Sequence, residues 1–145
     1  YVEGFNTDTT TYKLDTTFVP YAKDVEPNDE YANAQTYTLG TAVTGVIGSI
    51  QNNSSYDLDS ADIYKVNVAN LSTFKINLTS KYDLRVTVYD KEQNWIGSLD
   101  TVQNKINDTI IDENADVHAG DFYYISVSGT NGGDQDSNIY TLTVN

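Results

Sequence analysis

The sequence contains no cysteine, no methionine and a single histidine. The absence of cysteine excludes disulfide bonds, thiol catalysis and zinc sites that use cysteine ligands. One histidine, His118, argues against a histidine-rich metal site and against a histidine-dependent catalytic triad. No apolar run approaches the ~18 residues that span a membrane, so we expect no membrane insertion. These absences lean away from an enzyme.

Basic residues are also scarce, since 8 Lys and Arg face 21 Asp and Glu and leave a net charge of −13 over 145 residues. Such a surface repels phosphate backbones, so nucleic acid and anionic membranes are excluded as partners. The length is that of one domain that can bury its own core. What remains is a module rich in carboxylates that can bind a hard cation.

The residues that are abundant indicate strands. Tyrosine occurs 12 times and threonine is frequent, and both suit a pleated surface, whereas the many Asn and Asp residues suit turns. Short runs carry apolar residues at every second position and end at Asn, Asp, Gly or Ser. This pattern predicts an all-β fold, an antiparallel, jelly-roll-like β-sandwich of eight or nine strands. The runs contain Val46, Val66, Ile76, Val86, Ile96, Ile110, Ile125 and Leu142, one residue for each.

The first part of the chain differs from the rest. Residues 1–23 are predicted to be an N-terminal extension or linker, with an extra edge strand over residues 10–19 as the alternative. Residues 24–145 then form the sandwich domain. Residues 29–35 carry the one helical signal, a turn capped by Asn28 or Asp29. The polar stretch 51–59 is interpreted as a loop.

Acidic residues are concentrated at two places in the chain. In an extended segment the side chains of Asp24, Glu26 and Asn28 point to the same side. Calcium takes about six to eight oxygen ligands from carboxylates, amides and carbonyls, which such turns supply. The alternative is that both clusters are solvated turns of an acidic protein. The first cluster is Asp24, Glu26, Asn28 and Asp29, and the second is Asp57, Asp59 and Asp62.

Several segments, taken in order, resemble the bacterial pre-peptidase C-terminal (PPC) domain. Asp24-Val-Glu-Pro-Asn-Asp-Glu and the later Thr-Gly-Val-Ile-Gly-Ser-Ile look like its opening, and Asp59-Ser-Ala-Asp62-Ile-Tyr64 looks like its second motif. Leu84-Arg-Val-Thr-Val-Tyr-Asp, Gly120-Asp-Phe-Tyr-Tyr-Ile-Ser-Val-Ser-Gly and Tyr140-Thr-Leu-Thr-Val resemble its later strands. The resemblance covers residues 24–145.

The resemblance implies a jelly-roll-like β-sandwich that is appended to secreted bacterial peptidases and is not itself catalytic. One branch of the family is similar to the collagen-binding domains of clostridial collagenases, which bind two adjacent calcium ions. We therefore expect one or two Ca²⁺ ions here. Asp24 stands where the family has Glu. Asp57 lies in the long loop between Ser49 and Asp59 and is an alternative ligand. The ligands implied by the resemblance are Asp24, Glu26, Asn28, Asp29, Ser49, Asp59 and Asp62.

Aromatic residues are the candidates for a binding face. If Tyr123 faces the core, Phe122 and Tyr124 face outward, where exposed rings can contact a polymer such as collagen or a glycan. The alternative is that these rings pack under loops as a second layer of core. Tyr64 matches a collagen-contacting tyrosine of the collagenase branch, yet its phase in the strand places it on the core side. The candidates are Tyr64, Tyr89, Trp95, Phe122 and Tyr124.

The sequence thus favours a monomeric, non-catalytic, calcium-binding accessory domain of a secreted bacterial protein, at the cell surface or outside the cell. Its partners are an extracellular polymer or the catalytic domain of a parent peptidase or other hydrolase. One alternative is a carbohydrate-binding module, which requires Trp95, Tyr89 and Tyr124 to be coplanar and exposed. Another is a structural spacer or a pro-segment removed in maturation. A hydrolase would need a pocket that holds His118 beside a Ser and an Asp.

Overall fold

The computed structural model describes residues 22–52, 55–68, 72–113, 121–130 and 138–145. These residues form eleven strands and one 3₁₀ turn at Tyr31–Asn33, and nine of the strands have five residues or more. The strands are β1 (Ala22–Lys23), β2 (Gln35–Tyr37), β3 (Ala42–Asn52), β4 (Ser55–Asp59), β5 (Ala61–Asn67), β6 (Thr73–Ser80), β7 (Leu84–Tyr89), β8 (Trp95–Asp100), β9 (Lys105–Ile111), β10 (Phe122–Gly129) and β11 (Asn138–Val144).

The strands form two sheets that enclose one core. Sheet A has the order β1-β3-β11-β6-β9, with β4 paired to β3, and sheet B has the order β2-β5-β10-β7-β8. Buried residues of both sheets belong to a single hydrophobic cluster. The predicted all-β sandwich is therefore confirmed. Two of the pairings, β1 with β3 and β2 with β5, are parallel, and both involve the shortest strands.

Alternation correctly identified which side chains face the core. In β6 the buried positions are Phe74, Ile76 and Leu78, with exposed or half-exposed residues between them. The same alternation holds in β11, where Tyr140, Leu142 and Val144 are buried. Burial of these side chains supplies the main stabilisation of the fold, because each removes apolar surface from water.

Three local predictions either differ from the structure or fall partly outside its described residues. Part of the stretch interpreted as a loop is the strand β4, which pairs antiparallel with the end of β3. The strand has only two apolar residues, Tyr56 and Leu58, in a polar stretch, and backbone pairing with β3 is what establishes it. The helical turn is present, but its N-cap is Glu30 and no side chain caps it. The predicted extension 1–23 ends in β1, and residues 1–21, with the alternative strand 10–19, lie outside the described residues. His118 lies outside them as well.

The fold brings three chain segments together at one end of the sandwich. They are the segment after β1, the β3–β4 hairpin and the beginning of β5. β1 lies beside β3 through the pair Ala22 and Val43, while Gly48 in β3 lies opposite Asp59 in β4. Gly48 has φ +137°, a value that favours glycine, at the point where β3 leaves the sheet to pair with β4. Within the described residues, no helix has the length and apolar character needed to cross a bilayer.

Candidate metal centre

The segment after β1 is held against both sheets by backbone hydrogen bonds. The Asp24 N–H donates to the Thr44 carbonyl at 3.1 Å, and the Val46 N–H donates to Asp24 Oδ2 at 3.3 Å. Further along, the Ile63 N–H donates to the Asn28 carbonyl at 2.9 Å, which attaches the segment to β5. The Asn28 N–H donates to Glu26 Oε2 at 3.1 Å. The first acidic cluster is therefore fixed between β3 and β5.

The second acidic cluster meets the first at this place. Asp24, Glu26 and Asp62 form one group whose carboxylate oxygens lie within 4.8 Å of one another, and Asp29, Asp59 and Asp62 form a second such group. Asp62 belongs to both groups. The structure thus brings together two carboxylate triads that share one residue.

Burial at this centre is unusual for charged and amide groups. Asn28 and Asp62 are fully buried and Asp59 is 6% exposed, whereas Asp24 is half-buried and Glu26 and Asp29 are exposed. Asp62 occupies the core-facing phase of β5, in line with Tyr64 and Val66. A carboxylate in a core-facing row is costly unless something neutralises it.

Several polar atoms of the centre have no hydrogen-bonding partner among the described residues. They are both side-chain amide atoms of Asn28, both carboxylate oxygens of Asp59, and Oδ1 of Asp62. Buried polar groups are nearly always hydrogen-bonded, and each exception calls for a specific cause. Four of these five atoms are oxygens on three neighbouring residues and can ligate a cation, whereas the Asn28 amide nitrogen is a donor and cannot.

The pKa values of the buried carboxyl groups also favour a bound cation. Burial, together with the negative charges of Glu26, Asp29 and Asp24, raises the pKa of Asp59 to about 7. Burial also raises the pKa of Asp62 to about 8, although the hydrogen bond from Tyr140 acts in the opposite direction. Both carboxyl groups would hold protons near neutral pH unless a cation were present. A bound cation removes this repulsion and allows both to ionise.

The donor set selects the kind of cation. All six residues of the centre offer oxygen, and none offers a thiolate or imidazole nitrogen. Hard cations with many oxygen ligands, calcium above all, match this chemistry, whereas zinc prefers nitrogen and sulfur. The residues therefore fit one or two Ca²⁺ ions, with Asp62 able to ligate both.

The remaining predicted ligand, Ser49, lies on β3 opposite Leu58, and Asp57 lies opposite Ile50. Their side chains fall outside the described part of the structure. Sequence reasoning did not identify Tyr140, whose hydroxyl donates a hydrogen bond to Asp62 Oδ2. A signal was available, because a tyrosine in the core-facing phase of a strand needs a partner for its hydroxyl.

The aromatic candidates lie in different environments. Tyr64 is fully buried, so it cannot contact a polymer and its place on the predicted binding face is wrong. The reason is its core-facing phase in β5. Tyr124 is 9% exposed, Tyr89 and Phe122 are half-buried, and Trp95 is 65% exposed.

Most of these outward rings pack on one another. Tyr89 lies opposite both Trp95 and Tyr124 in the sheet, which places the three in one row. Tyr31 covers part of this row, with its ring centroid 4.8 Å from that of Tyr124 and 5.8 Å from that of Tyr89, edge to face in both cases. Phe122 packs on Tyr124 at 5.3 Å. The rings form a second layer on sheet B, and the coplanar, exposed platform of a carbohydrate-binding module is not formed.

Comparison with known proteins places the fold. No protein-family model matches the sequence, and no curated protein sequence matches it. The chain is similar in structure to the pre-peptidase C-terminal domain of collagenase from Bacillus anthracis, known from a crystal structure. The TM-score is 0.54 at 18% sequence identity, with 89% of this chain and 100% of that domain covered. The resemblance noted in the sequence therefore extends to the whole fold.

Proposed function

We propose that this chain is a non-catalytic accessory domain of a secreted protein, and that calcium binding at the metal centre stabilises it. The observation that carries the proposal is the set of buried atoms without partners on Asn28, Asp59 and Asp62. Calcium would ligate the oxygens among them and join the segment after β1 to β4 and β5. Binding to the folded state alone stabilises that state by linkage.

The fold supports the proposed role as an accessory domain of a secreted protein. The similar domain is the pre-peptidase C-terminal domain of a collagenase, and the family resemblance implies a domain that is appended to a peptidase and is not itself catalytic. Extracellular calcium-binding modules often have dissociation constants of about 10⁻⁴–10⁻³ M, concentrations that occur outside the cell. A domain without cysteine has no disulfide, and a metal can join its segments instead. The proposed site of action is therefore outside the cell or at its surface, attached to a peptidase or other hydrolase.

Replacing Asp59 by Asn tests the proposal directly. We expect Asp59→Asn to weaken calcium binding by about 100-fold or more, because ligand charge tunes affinity over several decades. In chelator the same variant should unfold at a higher temperature than the wild type, because it no longer buries an unpaired carboxylate. Isothermal titration calorimetry measures the first effect and circular dichroism the second.

Asp108→Asn is the matched control, since Asp108 is an exposed residue of β9 at the opposite edge of sheet A. It removes the same charge and should leave calcium affinity almost unchanged. A wild-type protein that gives no heat with calcium, or an Asp59→Asn variant that binds as tightly as the wild type, would contradict the proposal.

Targeting of a polymer is a second candidate role, and Trp95 is the observation that favours it. Its side chain is the most exposed ring of the outer row and donates a hydrogen bond from Nε1 to Ser98 Oγ at 3.0 Å. If this role holds, the wild type should co-sediment with insoluble collagen or an insoluble polysaccharide, and Trp95→Ala should lose at least half of the bound fraction, about the loss expected of an interface anchor. Equal recovery of both proteins in the supernatant would exclude it.

A further inference from the structure

A buried chain of hydroxyl groups leads from the core to the metal centre. Tyr64 and Tyr140 are 0% and 1% exposed, and their hydroxyl oxygens lie 2.6 Å apart. The Tyr140 hydroxyl also contacts Asp62 Oδ2. The chain connects β5 of sheet B with β11 of sheet A, and it ends on the residue that belongs to both carboxylate triads.

The direction of these hydrogen bonds follows from the carboxylate. When a cation is bound, Asp62 is ionised and can only accept, so the Tyr140 hydroxyl donates to it. Tyr140 then has no proton left for Tyr64, and the Tyr64 hydroxyl must donate to Tyr140. A hydroxyl that accepts one hydrogen bond becomes a better donor in the next, so Tyr64 strengthens the bond to Asp62.

The two oxygens of Asp62 therefore have different surroundings. Oδ2 accepts the hydrogen bond from Tyr140, while Oδ1 is buried and has no partner in the part of the chain that the structure describes. Rotation of the carboxylate plane away from this orientation would break the hydrogen bond. Tyr140 thus fixes the orientation of the group and leaves Oδ1 available.

Space for the Tyr140 hydroxyl is provided by a glycine. Gly45 lies directly opposite Tyr140 in the β3–β11 pair, in the core-facing phase between Val43 and Ile47. A Cβ atom built on Gly45 would lie far inside van der Waals contact with the Tyr140 hydroxyl and with its ring. Any other residue at position 45 would therefore displace the hydroxyl from Asp62.

We propose that Tyr140 is a positioning residue of the calcium site, seated in the space left by Gly45 and supported by Tyr64, and that it orients Asp62 so that Oδ1 faces the cation. The proposal rests on the calcium site proposed above. Outer-shell partners of this kind hold a ligand in the geometry that the metal requires, and their loss commonly lowers metal affinity by about 10- to 100-fold.

Tyr140→Phe removes the hydroxyl alone and is the principal test. Titration calorimetry should show calcium affinity lowered by about 10- to 100-fold relative to the wild type. Tyr123→Phe is the matched control, because the Tyr123 hydroxyl also donates to a carboxylate, Asp112 Oδ2 at 2.8 Å, which belongs to neither triad. The control should keep the wild-type calcium affinity, whatever its effect on the midpoint of unfolding.

A second readout separates positioning from general loss of stability. Terbium replaces calcium in oxygen sites, and its luminescence lifetimes in H₂O and D₂O report how many water molecules it binds. With Asp62 free to rotate, Tyr140→Phe should add about one bound water, since water fills a lost ligand position. Tyr123→Phe should add none.

Gly45→Ala and Tyr64→Phe extend the test. Gly45→Ala should reproduce the affinity loss of Tyr140→Phe by displacing the hydroxyl. Tyr64→Phe leaves the Tyr140–Asp62 hydrogen bond in place and should cause a smaller loss of calcium affinity. If Tyr140→Phe does not fold, Tyr64→Phe tests the positioning role of Tyr140 instead.

The outcomes are distinguishable. Wild-type affinity and hydration in Tyr140→Phe, or equal affinity losses in Tyr140→Phe and Tyr123→Phe, would overturn the positioning role while leaving the calcium site intact. If Tyr140→Phe is unfolded, a calcium affinity in Tyr64→Phe equal to that of the wild type overturns the positioning role. Absence of calcium binding by the wild type would instead overturn the proposed function, and the positioning role with it.

Discussion

Calcium is expected to raise the midpoint of thermal unfolding of this domain by roughly 8–10 °C relative to the same protein in chelator. The shift follows from linkage, since a ligand present at about 100 times its dissociation constant stabilises the folded state by about 2.7 kcal/mol. The unfolded chain offers the same carboxylates but does not hold them within 4.8 Å of one another. Two ions in the shared centre would give a larger shift.

Ionic strength must be matched in this experiment. The chain carries a net charge of −13, so added salt alone screens repulsion and raises the midpoint. Sodium chloride at equal ionic strength corrects for screening. Magnesium is the sharper control, because it is smaller, demands octahedral geometry and gives up its waters reluctantly. A shift with magnesium as large as that with calcium would show a screening effect rather than a built site.

In chelator, the stability of the folded domain is expected to fall as the pH rises from about 4 to about 8. Asp59 and Asp62 have folded-state pKa values of about 7 and about 8, above the usual range near 4. Groups with raised folded-state pKa values contribute stability that is fully present below their unfolded pKa and is lost as the pH rises through the folded pKa. Glu26 and Asp29, whose pKa values burial also raises, act in the same direction.

Calcium should remove this dependence. The cation binds the ionised carboxylates, so its affinity rises as protons leave them and offsets the loss seen in chelator; the stability of the holo domain should stay almost constant between pH 5 and pH 7, the span over which about half of this loss occurs without metal. Urea unfolding at several pH values, with calcium and with chelator, measures both curves. The Asp59→Asn and Asp62→Asn variants should flatten the chelator curve. If the stability of the calcium-free protein rose between pH 5 and pH 7, Asp59 and Asp62 could not be buried carboxyl groups without a neutralising partner.

The alternation of apolar residues was sufficient to predict the sandwich. In β6, β7, β10 and β11 the period of two correctly separated core-facing from outward positions. It also placed Tyr64 on the core side, against its resemblance to a collagen-contacting residue. The direction in which a side chain points is a local property of a strand, and the sequence of one strand therefore carries it.

Pairings between distant segments could not be predicted in this way. The contact of Tyr140 with Asp62 depends on β11 lying beside β3 and facing β5, and on Gly45 standing opposite the ring. Alternation shows that both Gly45 and Tyr140 face inward, but it does not show that they face each other. Likewise, β4 depends on backbone pairing with the end of β3, because its sequence has only two alternating apolar residues, Tyr56 and Leu58.

The acidic residues of the site were identified from the sequence, but their burial without hydrogen-bonding partners was not. In the chain, Asp59 and Asp108 look alike, as acidic residues in polar surroundings. In the fold, Asp59 is 6% exposed with both oxygens unpaired, and Asp108 is exposed. The difference arises from tertiary structure, because the segment after β1 covers one residue and leaves the other in solvent.

We propose that a calcium ion completes the coordination of the oxygens of Asn28, Asp59 and Asp62. A crystal structure of the wild-type domain grown with calcium, with anomalous differences collected at long wavelength, tests it most directly. We expect one or two anomalous peaks within about 2.3–2.6 Å of Asp59 oxygens, Asp62 Oδ1 and the Asn28 side-chain carbonyl, with Tyr140 still hydrogen-bonded to Asp62 Oδ2. Well-ordered carboxyl groups at this place with no anomalous peak between them would contradict it.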